Sequence, residues 1–355
     1  METFCLKTKI ISGPGSISEL SRLGCRRVLL VADPYFQKTD VPDKLMSATG
    51  ADFAFFYEVK PDPTVELAAK GTALVQDFKP DTVVALGGGS AMDCAKAMVY
   101  FSGLNARFVA IPTTSGSGSE VTDFAVLTHD GTKHPLVDPA LCPDVAILDG
   151  NLLTNLPKQL IADAGYDIVA HAVESYVATG AGAISRSLAG DAFACAFRLL
   201  PASFAGSTAV RQQLHDGATM AGIAFSQSGL GLCHALSHAL GGQLHIPHGR
   251  LNAILLPAVV EANACANDKY ADLARNAGLG GSVDTLAVRN LRNALLQLRK
   301  ELRLPQTLSQ AGIDPRLVQE KTADIVKAAL EDPCCATNPQ RPNAPMVEKI
   351  LRQVT

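Results

Sequence analysis

Thr82-Val83-Val84-Ala85-Leu86-Gly87-Gly88-Gly89-Ser90-Ala91-Met92-Asp93 is the stretch on which the reading of the fold turns. An unbroken apolar and β-branched run reads as a strand covered on both faces, the three glycines as a turn, and residues 90–101 as a helix, with Ser90 offering N-cap chemistry. Outward from it the rhythm repeats. Residues 28–33, 53–57 and 108–112 read as further buried strands, and residues 40–48 and 64–78 as helices between them. A parallel sheet covered by helices is the architecture this alternation predicts. Residues 122–137 change to an alternating pattern centred on His129-Asp130-Gly131-Thr132, which predicts a β-hairpin.

After Asp149 the strand patterns stop. Helical periodicity runs over residues 158–178, 184–200, 209–227, 230–242, 248–264, 268–277, 283–302, 315–330 and 344–354, and Pro157, Pro201, Pro247, Pro257 and Pro305 mark starts, ends or kinks. Two domains follow: an α/β domain over 1–155 and an all-α domain over 156–355. The segment 331–339 reads as a connector between the last helices.

A length of 355 residues suits two domains, and 47% hydrophobic with 18% charged residues suits a globular core. The net charge of -3, with no block of Lys or Arg, supplies no basic surface for nucleic acid or an anionic membrane, so neither is an expected partner. Nine cysteines in an odd set with no CxxC spacing predict reduced thiols and a cytoplasmic setting. No charged n-region precedes an apolar run at the N-terminus and no 18-residue apolar span is read later, so neither secretion nor membrane insertion is expected.

The glycines at 87–89 let a ligand approach the backbone, and the N–H groups that open the next helix favour an anion such as a pyrophosphate. Pro112-Thr113-Thr114-Ser115-Gly116-Ser117-Gly118-Ser119-Glu120 also follows a strand and could line a nucleotide with hydroxyls, as it could equally form a capped surface loop. Asp33 ends its strand where a carboxylate could accept from a ribose 2′-hydroxyl and repel a 2′-phosphate, which favours NAD over NADP. Gly13-Pro14-Gly15-Ser16-Ile17-Ser18 comes nearest to a dinucleotide fingerprint but lacks its third glycine.

Four of the eight histidines fall between 234 and 248, among Leu, Ala, Gly and Ile. Buried imidazoles need partners, and a neutral imidazole is a common ligand for divalent transition metals. Asp167 and His171, four apart, share one helix face, as do His234 and His238. A carboxylate with two or three imidazoles predicts a metal site for Fe(II) or Zn(II). Spacing alone does not decide whether His234 and His238 both bind with His248, or whether one of that pair faces substrate. His245 reads as possible pocket lining, and His129, His134 and His215 as surface.

These motifs, in this order and over essentially the whole chain, resemble the iron-containing (group III) alcohol dehydrogenases: Gly-Gly-Gly-Ser at 87–90 with Asp93 and Lys96, the 112–120 loop, Pro-Asp-Val-Ala-Ile-Leu-Asp at 143–149, Asp167 with His171, and the 229–249 stretch. The likeness is strongest to the propanol and ethanol dehydrogenases of propanediol and ethanolamine utilisation, through residues 224–234 and 244–249. The resemblance implies a dehydroquinate-synthase-like fold, with a Rossmann-like nucleotide-binding domain and a helical metal-binding domain. It implies a metal, Fe(II) before Zn(II), on Asp167, His171, His234 and His248, with His238 left for substrate, nicotinamide and proton relay. For NAD(H) it implies Asp33, Gly88, Gly89, Ser90, Asp93, Thr113, Thr114, Ser117 and Lys133; Ser117 and Asp62 depart from the family's more usual Thr and Asn. The implied activity joins short-chain primary alcohols and aldehydes (propanal and 1-propanol, or acetaldehyde and ethanol) in the aldehyde-reducing direction. A homo-oligomer, a dimer, with microcompartment association goes with it. A glycerol-type polyol dehydrogenase and a dehydroquinate-synthase-like lyase are the alternatives.

Overall fold

The computed structural model describes residues 3–130, 132–263 and 266–355. It divides into two compact units: Leu6–Asn155 together with Arg211–Gly222, and Leu156–Val210 with Ile223–Thr355 and the N-terminal stretch ending at Cys5.

In the first unit, the strands β1 (Lys9–Ser12), β2 (Arg27–Ala32), β3 (Asp52–Phe56), β4 (Thr82–Gly87), β5 (Arg107–Pro112) and β8 (Val145–Leu148) form a parallel sheet in the order β1-β8-β5-β4-β2-β3. The helices α1 (Val41–Thr49), α2 (Val65–Phe78) and α3 (Gly89–Ser102) connect strands. Successive strand residues point to opposite faces, and both faces are packed: Leu29, Val31, Val83 and Ala85 join Val75, Met92 and Met98 on one, while Val28, Leu30, Val84 and Leu86 join Leu20, Phe36 and Leu45 on the other. Double burial explains why these strands read as unbroken apolar runs.

From β2 the chain steps outward to β3 and then crosses back to β4 and β5. The carboxyl ends of β2, β4 and β5 therefore lie side by side at the point where strand order reverses, the usual ligand crevice of such sheets. Strands β1 and β8 fell outside the periodicity reading; only four residues each, they give no pattern long enough to stand out. The hairpin appears as β6 (Phe124–His129) paired antiparallel with β7 (Thr132–Val137); Gly131 of its expected turn lies outside the described residues. The Gly13–Ser18 segment is tied to Asp149, whose two carboxylate oxygens accept from the backbone N–H groups of Gly15 and Ile17.

The second unit is helical: α4 (Lys158–Val177), α5 (Ala183–Ala205), the end of α6 (Arg211–Ser228), α7 (Leu232–Leu244), α8 (His248–Ala262), α9 (Asn267–Asn276), α10 (Asp284–Glu301), α11 (Pro315–Glu331) and α12 (Ala344–Val354). The fold class is thus α/β plus all-α, of the dehydroquinate-synthase-like kind. A single cut at 155/156 does not describe the division fully, because the start of α6 belongs with the sheet. Its side chains bond there to two strand ends and to the loop after β5: Gln212 donates to Leu148 O, His215 to Pro112 O, and Thr219 to Glu120. Helix α5 runs on through Pro201 and, by length and composition, is long and apolar enough to cross a membrane, which corrects the expectation that no such span occurs. It packs on α4 within its own unit.

Candidate metal centre and nucleotide loops

Helix α4 carries Asp167 and His171 on one face, α7 carries His234, and His248 is the first residue of α8. Two close approaches set these helices together. A Cβ on Gly249 would lie 2.0 Å from Asp163 O, so only glycine lets the start of α8 rest on α4. A Cβ on Gly231 would lie 2.7 Å from Glu174 Oε1, so glycine is what lets the start of α7 come down on that carboxylate.

The result brings one ligand-capable atom from each of Asp167, His171, His234 and His248 within 4.8 Å of one another, three of these residues buried and His248 half-buried. His234 Nε2 and His248 Nε2 lie 3.9 and 3.6 Å from Asp167 Oδ1. Burial holds the imidazoles of His234 and His248 well below their ordinary range, so both rings stay neutral and keep a lone pair to offer. The amide of Asn252, fully buried on α8, donates from Nδ2 to Asp167 Oδ1 at 2.6 Å, and the same nitrogen, with one hydrogen left to share, lies 3.2 Å from both His234 Nε2 and His248 Nε2. One positively polarised group therefore meets three converging acceptors. A carboxylate and three neutral imidazoles so arranged fit a divalent transition metal.

Glu174 supports this group from behind. It is buried, and its Oε1 accepts from Cys233 N at 2.7 Å while Oε2 accepts from Gly231 N at 3.0 Å, His234 N at 3.2 Å and His234 Nδ1 at 2.7 Å. Burial pushes its carboxyl up to about 7 against the pull of those backbone N–H groups. The carboxylate caps α7 and fixes the His234 proton on Nδ1, which leaves Nε2 turned to Asp167. Glu174 escaped the sequence reading although it follows Asp167 and His171 at i+7 and i+3 on the same helix face, the signal that would have found it.

His238 stands outside the four. Its ring stacks on that of His248, 5.2 Å away and inclined 15°, and its Nδ1 donates to Asp332 Oδ2 at 2.8 Å. The segment 331–339 is accordingly more than a connector: Pro333–Thr337 forms a 3₁₀ turn capped by Asp332. His245 is exposed and ends α7 in a left-handed conformation.

In the sheet unit, Asp33 follows β2, Gly88 and Gly89 follow β4, and Thr113 and Thr114 follow β5. A Cβ on Gly88 would lie 3.2 Å from Thr114 Oγ1, one on Gly89 3.2 Å from Ser117 Cβ, and one on Gly87 3.8 Å from Asp33 Oδ2, so these loops form one surface. The N-cap of α3 is Gly88 and not Ser90, which sits inside the first turn: the extended backbone there falls one residue into the glycine run. Asp33 Oδ1 accepts from Tyr35 N, capping a 3₁₀ turn. Asp93 lies lower, accepting from Ser119 Oγ and Val126 N, and Lys133 pairs with Asp62 at 2.6 Å. Lys96 is buried and donates to Thr122 O, Thr122 Oγ1 and Phe124 O, with burial bringing its ammonium down to about 8. His215 is not a surface residue. At 1% exposure it donates from Nε2 to Pro112 O and accepts at Nδ1 from Ser115 Oγ, so it props up the hydroxyl-rich loop, and burial takes its imidazole down to about 4.

The family profile described as iron-containing alcohol dehydrogenase matches residues 7–150, and that described as Fe-containing alcohol dehydrogenase family, C-terminal, matches residues 161–355. The chain is 38% identical over 369 residues to the 1-propanol dehydrogenase PduQ of Citrobacter freundii, covering 100% of both chains. It is 35% identical over 380 residues to an NADPH-dependent butanol dehydrogenase of Clostridium saccharobutylicum, covering 100% of this chain and 98% of that one. Among solved structures, the iron-containing alcohol dehydrogenase of Thermococcus thioreducens superposes with a TM-score of 0.93 at 32% identity, covering 99% of each chain.

Proposed function

This chain belongs to the iron-containing alcohol dehydrogenase family, and from that premise we propose that it is a metal-dependent, NAD(H)-linked dehydrogenase of short-chain primary alcohols, working as an aldehyde reductase. The observation that carries the reading is the convergence of Asp167, His171, His234 and His248 within 4.8 Å, in a chain that both family profiles match.

When bound, the metal supplies Lewis acidity toward the substrate oxygen and the nicotinamide gives or takes the hydride. The chain's own residues do the rest. The four ligands hold the metal, Fe(II) before Zn(II), and Asn252 and Glu174 orient them. The amides at the start of α3, next to Gly88, Gly89 and Ser90, receive the pyrophosphate, with Thr113, Thr114 and Ser117 as donors beside them. Asp33 accepts from the ribose hydroxyl and disfavours a 2′-phosphate. Asp93 braces the loop from below, and Lys133 approaches the nucleotide from the hairpin. His238, left off the metal, takes a proton from the alcohol during oxidation and returns one during aldehyde reduction.

The reading also has the enzyme as a cytoplasmic dimer associated with a bacterial microcompartment, as the resemblance to the propanediol- and ethanolamine-utilisation dehydrogenases implies. The deciding experiment strips the protein with a chelator and reloads it with Fe(II) or Zn(II). NADH oxidation is then followed across C2 to C4 aldehydes. Turnover should disappear on stripping and return on loading; turnover undiminished in metal-free protein would overturn the reading.

A further inference from the structure

We propose that Asp332 is the positioning residue for His238, holding the imidazole by Nδ1 so that Nε2 is the atom that exchanges the proton. The proposal rests on the reading of His238 as the proton relay.

The two oxygens of Asp332 have divided duties. Oδ1 accepts from Cys334 N at 2.8 Å and fixes the carboxylate at the start of its 3₁₀ turn, while Oδ2 accepts from His238 Nδ1 at 2.8 Å. That turn is fastened to the beginning of the helix that bears His238. Leu232 N donates to Asn338 Oδ1 at 3.0 Å, and Thr337 Oγ1 donates to Leu230 O at 2.7 Å. A Cβ on Gly229 would lie 2.3 Å from Thr337 Oγ1, so the two segments meet without room for a larger residue. Donor and acceptor of the dyad therefore sit on elements pinned to each other a turn and a half away from it.

The far face of the ring is occupied by His248 at 5.2 Å, which restricts rotation about the Cβ–Cγ bond. The carboxylate side of the pair is 14% exposed and the imidazole side 34%, so the dyad opens to its surroundings at the ring. Burial alone would raise the Asp332 carboxyl, but the bonds from His238 and Cys334 hold it down at about 2, so it is an acceptor throughout the neutral range. An imidazole facing such an acceptor keeps its proton on Nδ1 and its lone pair on Nε2. In alcohol oxidation the hydroxyl proton then passes to Nε2 and on to water, with the Nδ1 proton retained against Asp332 at every stage.

Asp332→Asn keeps the shape and the capping oxygen, and Asp332→Glu keeps the charge. Metal content should be unchanged in both. For Asp332→Asn, kcat should fall by about tenfold or more, a fraction of what a positioned acid–base group contributes, with KM within about twofold. Asp332→Glu should recover part of that loss. In a His238→Ala background, Asp332→Asn should change nothing further; an additional fall there would show that Asp332 acts elsewhere and overturn the proposal. A readout independent of turnover is the ¹⁵N spectrum of histidine-labelled, zinc-loaded protein. His238 should be the Nδ1–H tautomer in the wild type and lose that preference in Asp332→Asn. The same tautomer in both would overturn the proposal, as would a second equivalent of zinc bound by the wild type and lost in Asp332→Asn, which would make the group His238, Asp332 and Cys334 a cation site. Failure of the parent reading shows separately, as a turnover rate unchanged by His238→Ala alone.

Discussion

Replacing Glu174 by Gln changes one oxygen to an NH2 group and tests how the metal site is built. The carboxylate accepts from four donors, one on Oε1 and three on Oε2. The amide does least harm by keeping its oxygen at the three-donor position, which turns its NH2 against Cys233 N. One buried backbone N–H then has no acceptor, at about 1–3 kcal/mol, and the other three bonds lose their charge assistance at about 1 kcal/mol more in total. The fold should lose about 2–4 kcal/mol, a fall of several degrees in Tm. The His234 tautomer is also held less firmly, for which metal affinity should drop about 10–100-fold. Zinc titration of the stripped protein against a competing chelator measures the affinity, and thermal unfolding measures the fold. A metal Kd within about twofold of wild type alongside the expected Tm loss would refute the argument that Glu174 acts through His234, leaving it a helix cap only.

Other outcomes follow from the same structure. Asp33→Ser keeps a cap for Tyr35 N but removes the charge, so the ratio of kcat/KM for NAD over NADP should fall by about tenfold or more, about 1.4 kcal/mol; an unchanged ratio would take Asp33 out of the cofactor site. His215 is neutral when folded, with its imidazole at about 4 against about 6.5 unfolded, so the unfolded chain binds the extra proton as pH falls through 6.5 and stability is lost down to about 4. Between pH 7 and 5 that costs about 2 kcal/mol, and urea titrations should show His215→Gln losing correspondingly less than wild type over the same interval. Gly249→Ala drives a Cβ into Asp163 O and should cost about 3 kcal/mol together with metal affinity, seen in thermal unfolding and zinc titration; an unshifted Tm would show that α8 does not depend on that approach.

Much of the fold was legible because its signals are local. The strands β2, β4 and β5 are buried on both faces and read as unbroken apolar runs, and the helices of the second unit lie close to the residue ranges their helical pattern predicts. The short β1 and β8 and the return of Arg211–Gly222 to the sheet were not legible, since both depend on partners more than fifty residues away. At the metal centre, spacing exposed Asp167 with His171 and the cluster around His234, but it could not separate His234 from His238. The separation comes from Glu174 on one ring and Asp332 on the other, contacts that cross 60 and 94 residues. His215 was misread for a similar reason: nothing beside it in sequence announces that Pro112 and Ser115 enclose it.

The most direct test of the central claim is metal content by elemental mass spectrometry on purified wild type and on Asp167→Ala, His234→Ala and His238→Ala, each paired with NAD-linked turnover of 1-propanol. The account expects one divalent metal per wild-type chain, its loss together with turnover in the Asp167 and His234 variants, and full occupancy with a slowed rate in the His238 variant. Retention of stoichiometric metal in Asp167→Ala or His234→Ala, or its loss in His238→Ala, would contradict the account.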